Sequence, residues 1–267
     1  MVTGTVDFQF DGALALVTLC QPGRFNAMSR AMWRQLELGF AELALRPGLR
    51  CVVVCGAGGN FCAGGDISEY PEFRFERQSL QEFHENTVWG ALQAMLDCDL
   101  PVVARIDGNC IGAGLEIASC CDIRIAARSA RFGAPIARLG FPMAPRELQL
   151  VLAQAGAQVA REMLFEAAVL DTARMQACGF LNRTVDDGAL AAHVLETAGR
   201  VAALPPGAAR LNKRAIRALA STAPSTGNRP HGDAAMAELL GTAYDYAGEP
   251  EHRAGIEAFI AGRSPAR

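Results

Sequence analysis

Apolar and polar positions alternate across residues 5–10, residues 13–19 are apolar except at Thr18, and the Asp11-Gly12 step between these two strands predicts a β-hairpin. Gln21-Pro22-Gly23 ends the second strand. Ser29 offers a hydroxyl N-cap for a helix running to about Leu45, with Met32, Leu36, Phe40 and Leu43 recurring on one face. Pro47-Gly48 stops it. Cys51-Val-Val-Val-Cys55 is apolar at every position, the pattern of a strand covered on both faces. Residues 79–96 read as a helix, 101–106 and 123–126 as further buried strands, and about 115–119 as a short apolar helix. Strand, glycine-rich loop and helix therefore alternate, which predicts an α/β fold. From about Pro145 the chain turns Ala-, Leu- and Arg-rich and no further strand is predicted. Pro205-Pro206 and the Ser/Thr/Pro/Gly/Asn stretch from Ser221 to Pro230 separate helical segments. The expected organisation is an α/β core over residues 1–200 and a helical extension over 201–267, with no repeat period.

Composition narrows the classes of function. Hydrophobic residues make up 51% of the 267 positions and charged residues 20%, enough to bury a substantial core and unlike a disordered chain. The 25 Lys and Arg nearly balance the 28 Asp and Glu, and there is no basic run, so a nucleic-acid partner is not expected. No stretch approaches the roughly 18 uncharged apolar residues of a membrane span, and Met1-Val2-Thr3-Gly4 does not begin a signal peptide. A soluble, cytoplasmic protein with no membrane partner is expected. The nine cysteines include Cys51, Cys55, Cys110, Cys120 and Cys121 in apolar surroundings and form no C-x-x-C, which reads as reduced core thiols. The four histidines (His84, His193, His231, His252) are far apart in sequence, so no metal site is expected.

Two glycine-rich loops carry the chemistry. The first, Gly56-Ala-Gly-Gly-Asn-Phe-Cys-Ala-Gly-Gly65, lacks the Lys-Ser/Thr of a phosphate loop, and Phe61 stands where a dinucleotide fingerprint needs its last glycine. The second, Gly108-Asn-Cys-Ile-Gly-Ala-Gly-Leu-Glu116, follows a predicted strand and opens a helix. Glycine lets a ligand approach the backbone, and first-turn N–H groups lack helical partners, so they can stabilise a developing oxyanion.

Phe61-Cys-Ala-Gly-Gly-Asp-Ile67 resembles the F-x-A-G-x-D-[IL] signature of the enoyl-CoA hydratase/isomerase (crotonase) superfamily. The second loop, with Cys121-Asp122-Ile123-Arg124 after it, resembles that family's G-x-x-x-G-G-G-x-E…C-D element. Pro22-Gly-Arg-Phe-Asn-Ala27 is similar to its coenzyme A-holding (R/K)-x-N-A element. Gly255-Ile-Glu-Ala-Phe259 with Arg263 is similar to its terminal E-G-x-x-A-F-x-x-(K/R) helix. The resemblance implies a spiral of repeated βαβ turns, a helical C-terminal region used in oligomerisation, and a homotrimer or hexamer. It implies an acyl-CoA thioester as substrate, with no permanently bound cofactor. By motif position, the N–H groups of Gly65 and Ala113 hold the thioester carbonyl. Arg24, Ala63, Gly64, Asp66, Ile67, Gly112 and Ile136 contact substrate or coenzyme A, and Phe259 and Arg263 serve packing and a neighbouring subunit's site.

Glu116 interrupts an otherwise apolar segment, where a carboxyl is raised toward the range useful in general acid/base catalysis. The resemblance makes it a catalytic glutamate; the alternative is a side chain reaching solvent or an ion pair at an oligomer contact. The family's second glutamate falls on Ile136, which cannot shuttle a proton. The following loop is altered too, to Pro142-Met-Ala-Pro-Arg-Glu-Leu-Gln-Leu150. Arg146 and Glu147 there are either first-turn decoration, with Glu suited to the helix dipole, or a replacement acid/base or clamp for a polar acyl tail. Asp66 and Asp122 read as loop or cap residues. The expected activity is hydration or isomerisation of an enoyl thioester through an enolate. The alternatives are decarboxylation or thioester cleavage on the same scaffold, or acyl-CoA binding without turnover.

Overall fold

The computed structural model describes residues 4–43, 45–221, 236–237 and 239–262. The first two strands, β1 (Thr5–Asp11) and β2 (Leu14–Cys20), form the expected antiparallel hairpin on Gly12, whose φ of 55° suits a residue without Cβ. Ser29 caps α1 (Arg30–Leu43), its Oγ accepting from Met32 N at 3.2 Å, and the helix buries Met32, Trp33, Leu36, Phe40 and Leu43.

The apolar run becomes β3 (Cys51–Gly56), buried along its whole length. Its residues divide between two cores by the two-residue period of a strand. Val52 and Val54 pack into the main core with α1, and Cys51 and Val53 into a smaller one under Leu190, Val194 and Ala198. β3 lies parallel to β2 on one side and to β4 (Val102–Ile106) on the other. Beyond β4 come β6 (Ile123–Ala127) and β9 (Arg183–Val185), giving a six-stranded sheet in the order β1-β2-β3-β4-β6-β9. A smaller sheet holds β5 (Asn109–Ile111), β7 (Arg131–Gly133) and β8 (Val169–Asp171) in the order β5-β7-β8.

Two expectations need correction. Strands do follow Pro145, because β8 and β9 are three-residue edges made by pairing rather than by propensity. Asn182 leads β9 into register: its Oδ1 accepts from Arg124 N at 2.7 Å, and its own N–H donates to Arg124 O at 3.0 Å. The helix expected over 79–96 is also not uniform. It runs as α2 (Arg77–Glu82), a π-helical turn (Phe83–Val88) and α3 (Trp89–Asp97).

The second glycine loop leads into α4 (Ala113–Ser119), buried at every residue. Later helices are α5 (Pro145–Phe165), broken at Gly156, then α6 (Thr172–Ala177), α7 (Leu190–Ala203) and α8 (Pro206–Ser221). Helix α7 crosses position 200, and Pro205-Pro206 divides it from α8 as expected. Lys213 of α8 bonds Asp122 Oδ2 at 2.7 Å and Leu100 O at 2.8 Å, while Arg217 bonds Asp99 at 2.9 Å. Asp122 also accepts from Val102 N at 2.7 Å, so it ties the start of β4 to the extension. From position 222, the expected Ser221–Pro230 separator lies outside the described residues.

The first glycine loop runs against α4. A methyl group on Gly114 would sit 2.5 Å from the Cys62 carbonyl oxygen. Helix propensity alone favours Ala over Gly by about 1 kcal/mol. Gly114→Ala is expected instead to lower stability by ~1–3 kcal/mol, the range for overpacking, as read by urea denaturation.

Candidate active site

Backbone hydrogen bonds lace the two glycine loops together. Phe61 N donates to Asp107 O at 2.7 Å, Cys62 N to Asn109 O at 2.8 Å, and Ile111 N to Cys62 O at 2.9 Å. The first loop is held on its other side by Met28, whose N donates to Gly64 O at 2.7 Å and whose O accepts from Asp66 N at 2.9 Å. That pairing steps over Gly65, so its N–H donates to no other backbone group among the described residues. Gly112, at φ 51° and ψ −111°, turns β5 into α4 and donates its N–H to Gly133 O at 2.8 Å. Ala113 is then the first residue of α4, where an N–H has no helical partner. The loops come close because both are glycine at the contact: a methyl group on Gly112 would lie 3.5 Å from Gly64 Cα.

Gly65 and Ala113 both border a cavity of about 170 Å³. Ala63, Gly64, Gly65, Ile67, Gly112, Ala113, Glu116, Ile136 and Glu147 all line it, so two loops, α4, the segment before α5 and α5 itself converge there. The Glu116 carboxyl is buried, and burial, followed by the charge of nearby Glu147, holds it protonated well above the ordinary carboxylate range. Glu147 is 5% exposed at its side chain, and its Oε1 lies 2.7 Å from His84 Nδ1. It is therefore not surface decoration of a first turn. Half-buried Ile136 presents only an apolar wall.

Other expected residues stand apart from the cavity. Asp66 caps the 3-10 turn Ile67–Glu72 and accepts from Ser68 N, Ser68 Oγ and Gln21 Nε2 at 3.0, 2.7 and 2.7 Å. Arg24 Nη1 pairs with Asp66 at 2.6 Å. Burial alone would push the Asp66 carboxyl up, but the bonds from Ser68 and Gln21 and the Arg24 charge outweigh it and hold it below its ordinary value. Phe259 is 78% exposed on the last described helix and does not reach the cavity of its own chain. Arg263 lies outside the described residues. Arg146 pairs with Glu85, its Nε 3.1 Å from the Glu85 carboxylate.

Three polar residues of the site went unsingled in the sequence. Tyr70 stands over the first loop, its hydroxyl 2.5 Å from where a Cβ on Gly65 would lie, and burial pushes its phenol up. Arg74 stacks on Phe141 at 3.6 Å and on Tyr70 at 4.6 Å, and desolvation lowers its guanidinium below its ordinary value. His84 sits on the π-helical turn. Nothing in the residues between Glu69 and Val88 marks these side chains as convergent, because a π-turn changes which faces meet.

The thiols are poor nucleophile candidates: burial pushes Cys62 up to about 12 and raises Cys110 well above its usual value. Among the described residues no group of three or more His, Cys, Asp or Glu is placed to hold a metal ion, and no helix is long and apolar enough to cross a membrane. What the cavity offers is the backbone of two glycine-rich loops beside two buried carboxyl groups.

The family model described as enoyl-CoA hydratase/isomerase matches residues 9–265. The short-chain-enoyl-CoA hydratase of Clostridium acetobutylicum is 30% identical over 217 residues, 81% of this chain and 82% of that protein. The mevalonyl-coenzyme A hydratase of Beauveria bassiana is 32% identical over 197 residues, 72% of this chain and 70% of that one. A solved structure of an enoyl-CoA hydratase/carnithine racemase from Magnetospirillum magneticum superposes with a TM-score of 0.90 at 33% identity. It covers 99% of this chain and 96% of that one.

The raised Glu116 carboxyl has a cost in stability. The folded protein keeps a proton there that the unfolded chain loses in the ordinary carboxylate range, so stability falls as pH rises from that range through the raised value. Glu116→Gln is therefore expected to raise Tm by a few degrees at about pH 8, with the gain shrinking toward about pH 4, as followed by scanning calorimetry across pH.

Proposed function

Because this chain belongs to the enoyl-CoA hydratase/isomerase family, we propose that its cavity takes an enoyl-CoA thioester and adds water across the double bond through an enolate. The observation that carries this reading is the burial of Glu116 and Glu147 in one cavity beside the unspent N–H groups of Gly65 and Ala113. The thioester oxygen accepts from both amides. As charge moves onto it, the donors stabilise the enolate, each worth about 3–4 kcal/mol of barrier. Two neighbouring carboxyl groups cannot both ionise cheaply, so the pair holds one acid and one base. Glu147 takes a proton from water as its oxygen adds to the β-carbon, and Glu116 delivers one to the α-carbon. Glu147 thereby stands in for the glutamate that Ile136 replaces. Ala63 and Ile67, at the rim, flank the pantetheine arm, and Arg24 and Asp66 shape the loop around it. A homotrimer or hexamer would bring the exposed Phe259 helix, with Arg263, to a neighbouring copy's coenzyme A.

Ile136 favours a second reading, in which Glu116 alone moves a proton between the α- and γ-carbons and shifts the double bond. The enoyl-thioester absorbance separates the two, with crotonyl-CoA and a longer trans-2-enoyl-CoA as substrates. Hydration predicts loss of absorbance, reduced by about 100-fold or more in rate in both Glu116→Gln and Glu147→Gln, with acyl-CoA affinity little changed. Bound substrate without loss of absorbance overturns hydration. Loss that survives Glu147→Gln removes Glu147 from the chemistry.

A further inference from the structure

A buried carboxylate is costly unless something fixes its charge, and Glu147 has one side-chain hydrogen-bond partner among the described residues, His84 Nδ1 at 2.7 Å. The other ring nitrogen of His84, Nε2, lies 3.4 Å from Arg74 Nη1. An arginine guanidinium has donors only, so Nε2 can meet it only as an acceptor. The ring is then neutral, and its single proton is on Nδ1, aimed at Glu147. Arg74 itself lies against two aromatic rings, 3.6 Å from the Phe141 centroid and 4.6 Å from that of Tyr70, and its backbone N–H donates to Tyr70 O at 2.8 Å. The π-helical turn Phe83–Val88 places His84 between Arg74 and α5.

We propose that Arg74 and His84 form a relay that positions Glu147 as the ionised member of the carboxyl pair, with His84 held neutral and protonated on Nδ1. Arg74 and His84 are positioning residues here, acting through Glu147. The inference rests on the proposed pairing of Glu116 with Glu147 and adds which of the two starts as base. It also explains how one member of a like-charged pair stays ionised. Glu147 receives a hydrogen bond that favours its charged form, while Glu116 accepts no side-chain hydrogen bond among the described residues.

The groups around Glu147 that bear on its titration come from every element packed on it. They are Glu116 of α4, His84 of the π-turn, Tyr70 and Arg74 of the segment before α2, and the Glu85–Arg146 pair, which neighbours both His84 and Glu147 in sequence. Position in the first turn of α5 adds the positive end of a helix dipole.

Nitrogen-15 NMR of the labelled full chain at neutral pH reads the tautomer directly, the His84 signals being assigned by their loss in His84→Gln. The expected result is a neutral ring with its proton on Nδ1. An imidazolium, or a ring protonated on Nε2, overturns the relay whatever the enzyme catalyses. Arg74→Met, which frees Nε2, is expected to end that tautomer's dominance; an unchanged spectrum overturns the role of Arg74. In the hydration assay, His84→Phe is expected to lower kcat by about 10- to 100-fold, the worth of a hydrogen bond to a charged group, with KM changed by less than about threefold. Its acid limb should move to higher pH, because Glu147 then holds a proton more tightly. His84→Gln, which keeps a donor, should recover most of the rate. A His84→Phe enzyme with normal kcat and an unmoved acid limb overturns the proposal. Failure of hydration with the Nδ1 tautomer present counts against the proposed function and leaves the relay standing.

Discussion

Three backbone hydrogen bonds between the loops that leave β3 and β4 hold the site together. They require that chain segments about fifty residues apart run side by side with almost no side chain between them, and Gly64, Gly112 and Gly114 meet that requirement at the points of contact. Parallel strands place both loops at the same end of the sheet, since β3 and β4 pair in register from Val52 with Val102 onward. Once laced, the loops leave the Gly65 and Ala113 amides without backbone partners among the described residues, and α4 begins at Ala113. The glycines therefore serve the packing and the chemistry by the same means: they allow backbone to meet backbone, and so allow backbone to meet a ligand.

Around that frame the polar groups are arranged against the usual rule that ionisable side chains stay in water. Glu116 lies on a helix buried at every position, and Glu147 opens another helix that packs against it. Neither forms an ion pair with lysine or arginine among the described residues. The charge that faces Glu147 arrives through an imidazole, and the arginine behind it is stacked on aromatic rings rather than bound to a carboxylate. Contrast Asp66, whose four hydrogen bonds, one of them also its ion pair with Arg24, hold it ionised and leave it no proton to exchange at ordinary pH. Carboxyl groups close together in the fold thus differ in surroundings, Asp66 held by several donors and Glu116 enclosed by apolar residues.

The fold was legible wherever one segment's pattern decided its own burial. The all-apolar run at Cys51–Gly56, the one-faced helix from Arg30 and the Asp11-Gly12 turn all formed as their residues dictate. Where pairing with a distant partner decided the element, the pattern carried no signal. Val169–Asp171 and Arg183–Val185 are strands only because β7 and β6 are beside them. The π-turn inside the expected helix over 79–96 follows the same logic, since its wider winding answers to packing rather than to propensity.

The site divides along the same line. The glycine signatures and the isolated glutamate in an apolar segment are local facts, and the family resemblance they carry pointed to Ala63, Gly64, Gly65, Ile67, Gly112, Ala113 and Glu116, which line the cavity. The resemblance also pointed to Ile136, a residue that carries no proton wherever it is placed. It could not choose between surface and site for Glu147, or single out Arg74 and His84. Their roles depend on three elements meeting, and the distances of 2.7 and 3.4 Å that join them arise only when the main core closes. Burial and hydrogen-bond supply, which decide whether a carboxyl is acid, base or scaffold, are properties of that closed arrangement and belong to no single stretch of chain.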